Sequence, residues 1–557
     1  MRNILIKSLS VLSVSLFATG CIEETFPEGS TQTQSQVSKS DAGVAALINA
    51  IPTSLVNAGT AAHYSRYGDQ LDFGLASIHM RTDHMLEDVA CMADNPGYDW
   101  AGSYAMNQNM GASYIPCSYF WDCYYPWIKG ANDVISTIIP ESATSDALNY
   151  LGQAYAYRAM FYLDLARLYM PVLNNYTDVS AIQGLTVPII RETTTEEESM
   201  NNPRAPKEEM YAFILEDLKN AETYLTGTSN PYTQPTLAAV YGLMAKAYLE
   251  MGYWDDTQFA NAAEYARKAI ETSGKTPLTE AQWTDPTTGF NDGSANNSWI
   301  WGLPLTSDNY NNLVAWVAHL CMEAQWGYGT LSHLGINRAT YEAITPGDFR
   351  RLSWLDPDWT GFGGSTEIDY QFAGTAEDAQ VYLQGALPYE SIKFRPANGN
   401  ATNYTEGNAG DVVVMRVEEM YFIEMEAVAH TQGVSAAVQL LNTFMNSYRM
   451  TAGNTYDCSS RVGSDLEAFT DEMLLQKRIE FWGEGVTIYD YKRLQEGITR
   501  GYTGTNHAGV HQYNTDGPSP MWNIVISRLE YQANTAINDS NNNPDPSGLL
   551  KLWTGGE

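Results

Sequence analysis

Basic residues are scarce in this chain: 31 Lys and Arg stand against 65 Asp and Glu, for a formal charge of −34. A mean field of that sign repels phosphate backbones and anionic lipid headgroups, which argues against nucleic acid or an acidic membrane surface as ligand. Long apolar runs are also missing. After Gly20 no stretch approaches the roughly 20 apolar residues that a membrane-crossing helix needs. Cysteine is sparse, with six in 557 residues. Setting Cys21 aside leaves Cys91, Cys117, Cys123, Cys321 and Cys458, an odd set, so disulfides are not the main framework. Catalytic signatures are absent as well. There is no His-Glu-x-x-His, no Gly-x-Ser-x-Gly and no phosphate-cradling glycine loop, the eight histidines show no metal-ligand spacing, and nothing calls for a cofactor. Asp539 to Asn543 starts like a calcium loop, but Pro544 stands where the sharp turn needs glycine and Leu550 where the bidentate glutamate belongs. A carboxylate pair for glycoside hydrolysis is always available among 65 acids, so abundance alone is no argument for one.

The chain starts with an export signal. Met1 to Gly20 has a basic start (Arg2, Lys7), an apolar stretch from Ile4 to Ala18 and small residues before Cys21. Ala18-Thr19-Gly20-Cys21 resembles a bacterial lipobox, in which the cysteine becomes the acylated N-terminus. At about 0.8 kcal/mol per buried methylene, two or more acyl chains hold a protein on a bilayer essentially permanently. Ile22-Glu23-Glu24 follows at once and resembles the surface-export signal of Bacteroidetes-type lipoproteins. Thr25 to Asp41 is Ser/Thr/Gln-rich and nearly devoid of apolar residues. It reads as a flexible tether spanning roughly 20 to 25 Å.

Beyond the tether, helical blocks alternate with irregular ones. The pattern is clearest at Pro235 to Ser273, a helix, a tight turn and a second helix. Tyr241, Ala245 and Tyr248 share one face of the first, and Ala262, Ala266 and Ala269 form a small-residue stripe on the second. Gly252 sits where a left-handed residue would stop the first helix. A large-small-large face opposed by an alanine stripe is the pattern of a tetratricopeptide-type repeat, which cannot bury its apolar face alone and must stack on neighbours. Asp146 to Met170 and Lys207 to Leu225 carry the same spacing and pair as another hairpin; Arg416 to Thr431, Ser435 to Tyr448 and Leu466 to Gly483 return to it. Ala42 to Ile51 reads as a helix stopped or kinked by Pro52, and Pro126 to Ile139 as one with proline in its first turn. From Pro277 to Gly410 there is no sustained helical period. That insert holds Trp283, Trp299, Trp301, Trp316, Trp326, Tyr328, Trp354 and Trp359 in Gly/Asn/Asp-rich surroundings where a core role is strained.

Four segments carry a family resemblance. They are Leu151 to Tyr169 (LGQAYAYRAMFYLDLARLY), Val187 to Ile190, Met415 to Ala427, and Arg478 to Gly485 with Tyr489 to Leu494. In this order and spacing they resemble the SusD/RagB family of Bacteroidetes outer-membrane lipoproteins, from Cys21 to about Asn538. Near the end Ile524 to Glu530 departs from the family's usual Pro-Ile-Pro run. The resemblance implies a mainly α fold, a tetratricopeptide-like superhelix (repeats about 146–273 and 414–483) with an irregular insert (about 277–410), all within one domain over 42–557. It also implies a non-catalytic lipoprotein, anchored to the outer membrane and exposed at the cell surface. Its role would be to capture oligosaccharide and deliver it to a SusC-like TonB-dependent transporter. A surface glycoside hydrolase and a peptide-capturing RagB-type protein are the alternatives. The signature charges Arg416, Glu426, Arg478, Glu480, Glu484, Asp490 and Arg493 lie in apolar helical surroundings, where a mutual ion-pair network is the least costly arrangement.

Sugar rings present apolar C–H faces edged by hydroxyls, so a glycan site needs flat aromatic platforms beside amide or carboxylate groups on irregular segments. Two segments supply that mixture, and the resemblance points to the same two. The first holds Asn95, Tyr98, Asp99 and Trp100; the second holds Trp316, Trp326 and Tyr328, with Gly327 and Gly329 keeping the rings uncrowded. Leu313 to Leu320 is apolar enough to read as core too, which leaves Trp316 between the two roles.

Overall fold

The computed structural model describes residues 40–57, 71–93, 108–309, 315–324, 326–357 and 387–555. The signal, nearly all of the tether and the segment from Asn95 to Trp100 lie outside the described residues. Helices dominate. In the N-terminal part they are α1 (Asp41–Val56), α2 (Leu75–Asp83), α3 (Ile115–Thr137), α4 (Ser145–Tyr169), α5 (Lys207–Leu225), α6 (Leu237–Gly252) and α7 (Gln258–Ser273). Side-chain caps fix several starts. Ser40, Thr144 and Thr236 each accept the backbone N–H three residues on, at 3.2, 3.2 and 3.1 Å.

Successive helices pack as antiparallel pairs, α4 on α5 and α6 on α7, as the repeat pattern requires. Ala262, Ala266 and Ala269 are all fully buried. Tyr248 stacks on Tyr265 with ring centroids 5.4 Å apart, and Tyr241 leans on the same ring. Gly252 is needed for a different reason than a left-handed stop. It lies inside the helix end, and a Cβ there would fall 2.5 Å from the Phe259 ring, so glycine admits that ring at the corner. The left-handed cap of this hairpin is Gly274, at φ +61°.

Two prolines sit inside helices rather than at their ends. Helix α1 continues through Pro52 to Val56, and α3 begins at Ile115, with Pro116 in its first turn and Pro126 in its interior. A missing hydrogen bond of this kind costs about 3 kcal/mol. Burial of Ile48, Ile51 and Leu55 on α1, and of Phe120, Trp121, Trp127 and Ile128 on α3, outweighs it.

The insert is tied to this scaffold by two short antiparallel ladders. Strand β1 (Val89–Cys91) pairs with β3 (Leu334–Ile336), and β2 (Trp299–Leu303) with β4 (Val412–Arg416). From β4 the chain enters α8 (Val417–Thr431), then α9 (Val434–Tyr448), α10 (Leu466–Glu480) and α11 (Thr487–Leu494). After Trp522 the tail folds back onto the end of α4. Asn543 donates to Tyr169 O (2.9 Å) and Ile524 O (2.8 Å), and Arg204 donates to Asn541 O (2.8 Å).

The insert's tryptophans are mostly core, against the expectation. Trp283, Trp299, Trp301 and Trp354 are at most 2% exposed. They build an aromatic interior of their own: Trp283 meets Phe290 edge-on at 4.8 Å, Phe290 meets Phe394 at 5.7 Å, and Trp354 meets Trp482 at 5.9 Å. The polar residues that made this region read as surface are spent on turns, such as Asp285 accepting from the N–H groups of Thr287 and Thr288.

The signature charges pair as expected, though in three groups rather than one. Glu480 accepts from Arg416, Arg449 and Arg350, Arg449 and Arg416 also reach Glu418, and Arg416 and Lys393 share Glu484. A second group joins Lys477, Asp490, Arg493, Glu426 and Glu250. Arg478 forms the third, with Glu87 and Asp88. The five cysteines from Cys91 onward are buried, and none of them forms a disulfide among the described residues.

Two expectations follow. Ala266→Trp should destabilise by about 1–3 kcal/mol or more in a thermal melt, because a fully buried stripe between packed helices has no room for an indole. A change under about 0.5 kcal/mol would place the stripe in solvent. Burial alone would raise the Glu480 carboxyl, yet Arg449, Arg416 and Arg350 hold it well below its ordinary 4.5. Its stabilisation is therefore whole above pH 4.5 and drains as the pH falls toward the folded value. Glu480→Gln should cost about 3–5 kcal/mol in urea unfolding at pH 7, with the gap to wild type narrowing only below pH 4.5.

Candidate functional site

The ladder of β1 with β3 sets the geometry of the face expected to bind ligand. Leu334 pairs with Cys91, and just beyond the ladder Met92 N–H donates to His333 O at 3.2 Å. The chain therefore departs toward Asn95 to Trp100 from beside His333, five residues after Tyr328. The roots of the two expected segments are brought together, while the side chains of Asn95, Tyr98, Asp99 and Trp100 lie outside the described residues. Arg478 on α10 grips Asp88 with two nitrogens, at 2.7 to 3.0 Å, and this anchors the ladder to the helical scaffold.

Within the second segment the residues separate by role. Trp316 is 5% exposed, its indole N–H donates to Gly410 O at 2.9 Å, and its ring meets Phe394 edge-on at 5.1 Å. It is a core residue. The apolar run around it buries it, so Trp316 offers no platform to a ligand in this structure. Trp326 and Tyr328 are half-buried. Trp326 lies over Gly407, where a Cβ would come within 2.7 Å of the ring, and its indole N–H has no acceptor among the described residues. Tyr328 stacks on His319 (4.8 Å, 19°), and His319 stacks in turn on Phe73 (5.6 Å, 25°). A three-ring stack thus carries Tyr328 on a rigid base.

The glycines flanking Tyr328 act differently from the expectation. A Cβ at Gly327 would lie 2.6 Å from Ala318 O, and one at Gly329 would lie 2.5 Å from Cys321 O. They let the turn close on its own backbone instead of clearing space around the rings. Below the turn, Arg395 forks onto Glu323 (3.1 and 3.3 Å) and donates to Thr284 O, which fixes the turn to the rest of the insert. Burial pushes the Glu323 carboxyl up to about 7 against the pull of Arg395.

Sequence reasoning missed two features here. Tyr404 is 42% exposed and stands one helical turn before Gly407, the residue under Trp326. Its only sequence signal is an aromatic ring in an Asn-rich stretch. The second is His333, which hydrogen-bonds the fully buried Glu390. That bond raises the histidine, and burial raises the carboxyl. His333 takes φ +50° to reach it.

These features define a class: a tetratricopeptide-like scaffold whose irregular insert presents a loop-built face with aromatic rings on a fixed base. Comparisons with known proteins agree. Residues 48–249 match a family model described as starch-binding associating with outer membrane, and residues 364–547 match the SusD family model. SusD-like protein P38 of Formosa agariphila is 31% identical over 400 residues, covering 68% of this chain and 72% of that one. SusD-like protein P2 of the same organism is 25% identical over 402 residues, 70% and 74% of the two chains. Among solved structures, a SusD-like carbohydrate binding protein from Bacteroides vulgatus superposes with a TM-score of 0.66 at 20% identity, covering 89% of this chain and 97% of that one. Surface glycan-binding protein A from Bacteroides thetaiotaomicron, solved in complex with laminarihexaose, superposes with a TM-score of 0.62 at 16% identity over 90% and 99%. The chain belongs to the SusD family.

Proposed function

We propose that this protein is a non-catalytic lipoprotein that captures oligosaccharide at the cell surface and delivers it to a SusC-like TonB-dependent transporter. The observation that carries the capture step is the pairing of half-exposed rings, Trp326 and Tyr328, with the point where the chain leaves for Asn95 to Trp100. Rings held on a prebuilt base lose little entropy when a sugar stacks on them, which favours useful affinity from few contacts. The relative solved with laminarihexaose supports a glucan-type chain as ligand class. Tyr98, Trp100, Trp326 and Tyr328 are assigned as platforms, with Asn95 and Asp99 as hydroxyl partners. Tyr404 joins them as a further exposed ring beside Trp326.

Calorimetry with laminarin-type and other oligosaccharides tests the assignment. Trp100→Ala and Trp326→Ala should each weaken binding by about 0.5–1.5 kcal/mol while the melting temperature stays near wild type. If both keep wild-type affinity, or lose it only by unfolding, the binding face lies elsewhere. Release of new reducing ends from the bound glycan would overturn the non-catalytic reading.

Location rests on Cys21. Among the described residues no helix is long and apolar enough to cross a membrane, and in our reading the acylated thiol holds the protein on the outer membrane. Cys21→Ser should therefore leave the protein unacylated and move it to the soluble fraction. A mutant that still sediments with membranes and needs detergent for release would sink this part of the proposal.

A further inference from the structure

A cleft of about 670 Å³ opens on the helical scaffold, with no wall contributed by the insert. Its size falls in the range of small-ligand sites. Its walls are the end of α4 and the following Pro171 to Leu173, the start of α5 at Lys207, the end of α6 from Glu250 to Trp254, and α11. In a chain of charge −34 this cleft is locally cationic. Arg167, Lys207, Lys492 and Arg493 face it against only two acids, Glu208 and Glu250.

The four cations are not equivalent. Arg493 is spent on Glu426 and Asp490, and Arg167 on Asp164 while lying 3.5 Å over the Tyr489 ring. The two lysines have no carboxylate partner among the described residues. Lys207 holds its ammonium 4.4 Å from the centre of the Trp254 ring. Lys492, 5% exposed, donates to two backbone carbonyls, Leu168 O and Trp522 O, both at 2.8 Å. A buried ammonium satisfied only by neutral acceptors keeps an uncompensated charge, which is costly until an anion arrives. Burial accordingly pushes Lys492 down to about 7; Glu250 pulls it back up and Arg204 opposes.

Aromatic surface lies beside these charges. Tyr253 is 37% exposed and Trp254 half-buried, and Tyr211 packs edge-on at 5.1 Å to fix the indole. Gln183 and Gln495, both exposed, add amides at the rim. Ammonium groups, aromatic faces and amides together suit a ligand with a carboxylate, an apolar ring face and hydroxyls.

We propose that this cleft is a second binding site, for an acidic oligosaccharide whose uronate carboxylate is drawn to Lys207 and Lys492 and whose ring packs on Trp254 and Tyr253. It is independent of the insert face. Acidic peptides share the carboxylate but supply no sugar ring for the aromatic faces, so the uronate is the better match.

The test is calorimetry on the full-length chain in detergent, with tri-galacturonate, its methyl ester and a Glu-Asp-Glu peptide as probes. Tri-galacturonate should bind saturably and at least about tenfold more tightly than the ester or the peptide. Lys207→Gln, on a half-buried side chain that caps nothing, should weaken it about tenfold with an unchanged melt, and Lys207→Arg should restore it. Trp326→Ala should leave it unchanged. Absence of uronate binding, equal binding of the ester, preference for the peptide, or wild-type affinity in Lys207→Gln would each overturn the proposal. Loss of uronate binding in Trp326→Ala would assign the acid to the insert face and overturn it equally.

Discussion

Glu480 is the carboxylate on which the rest of this structure depends. It is fully buried and takes hydrogen bonds from arginines on three separate stretches: Arg350 in the insert, Arg416 at the end of β4, and Arg449 at the end of α9. Arginine suits this role, since a planar fork bonds one acid with two nitrogens and leaves others for backbone carbonyls. Arg449 does so on Leu278 O, and Arg350 on Gln476 O. Aromatic rings close the group from water, with Arg449 5.2 Å from the centre of Trp283 and Lys393 4.9 Å from Phe290. Such a cluster yields little net stability over an apolar core of equal volume. What it supplies is position: any shift of the insert relative to the C-terminal helices would strand a buried charge. The insert has little regular structure of its own, and this gives it one place to sit.

That constraint reaches the candidate site by short steps. Lys393, which bonds Glu484 in the network, lies two residues before Arg395, which bonds Glu323 below the Trp326 turn. From the other side, Arg478, two residues before Glu480, holds Asp88 at the foot of β1. Both approaches to the candidate face are thus pinned by charges that face inward from α10 and its surroundings. A recognition surface built on loops then inherits the rigidity of the helices without being helical itself.

The helical framework was legible from sequence because apolar period survives local detail, and Lys207–Leu225 emerges with the expected ends. Pro52 does not stop α1 and Pro126 does not start α3, because a local rule of about 3 kcal/mol was set against burial that only the tertiary fold reveals. The same blindness applies to the insert. Its tryptophans read as surface because Asp, Asn and Gly surround them, yet those residues serve turns that fold the rings inward. The signature acids and bases could be recognised as a network, but Arg350, Arg449 and Glu418 could not be assigned to it. Ion pairs 31 to 130 residues apart in sequence leave no periodic trace. At the candidate site Trp326 and Tyr328 are half-buried, while Trp316 resolved to core. Tyr404, His333 and the stack under Tyr328 depend on contacts between distant segments, and no spacing announces them.

The buried pairs also change what the surface charge means. Arg350, Lys393, Arg395, Arg416, Arg449, Lys477 and Arg493 are consumed inside the fold by ion pairs with Asp348, Glu480, Glu484, Glu323, Glu418, Asp490, Glu426 and Glu250. Burying these near-neutral groups takes basic residues off the surface of a chain that already has few, and leaves its exposed charge more uniformly acidic. A neutral sugar stacking on Trp326 is indifferent to that field, since aromatic and hydrogen-bond contacts carry no net charge. An anion approaching the scaffold cleft is not indifferent. At physiological ionic strength the repulsion from distant acids fades beyond about 8 Å, whereas Lys207 and Lys492 act at contact. A locally cationic cleft on a strongly acidic protein is therefore selective by distance: a short carboxylate-bearing chain that enters the cleft meets Lys207 and Lys492 at contact, where the screened field of distant acids counts for little.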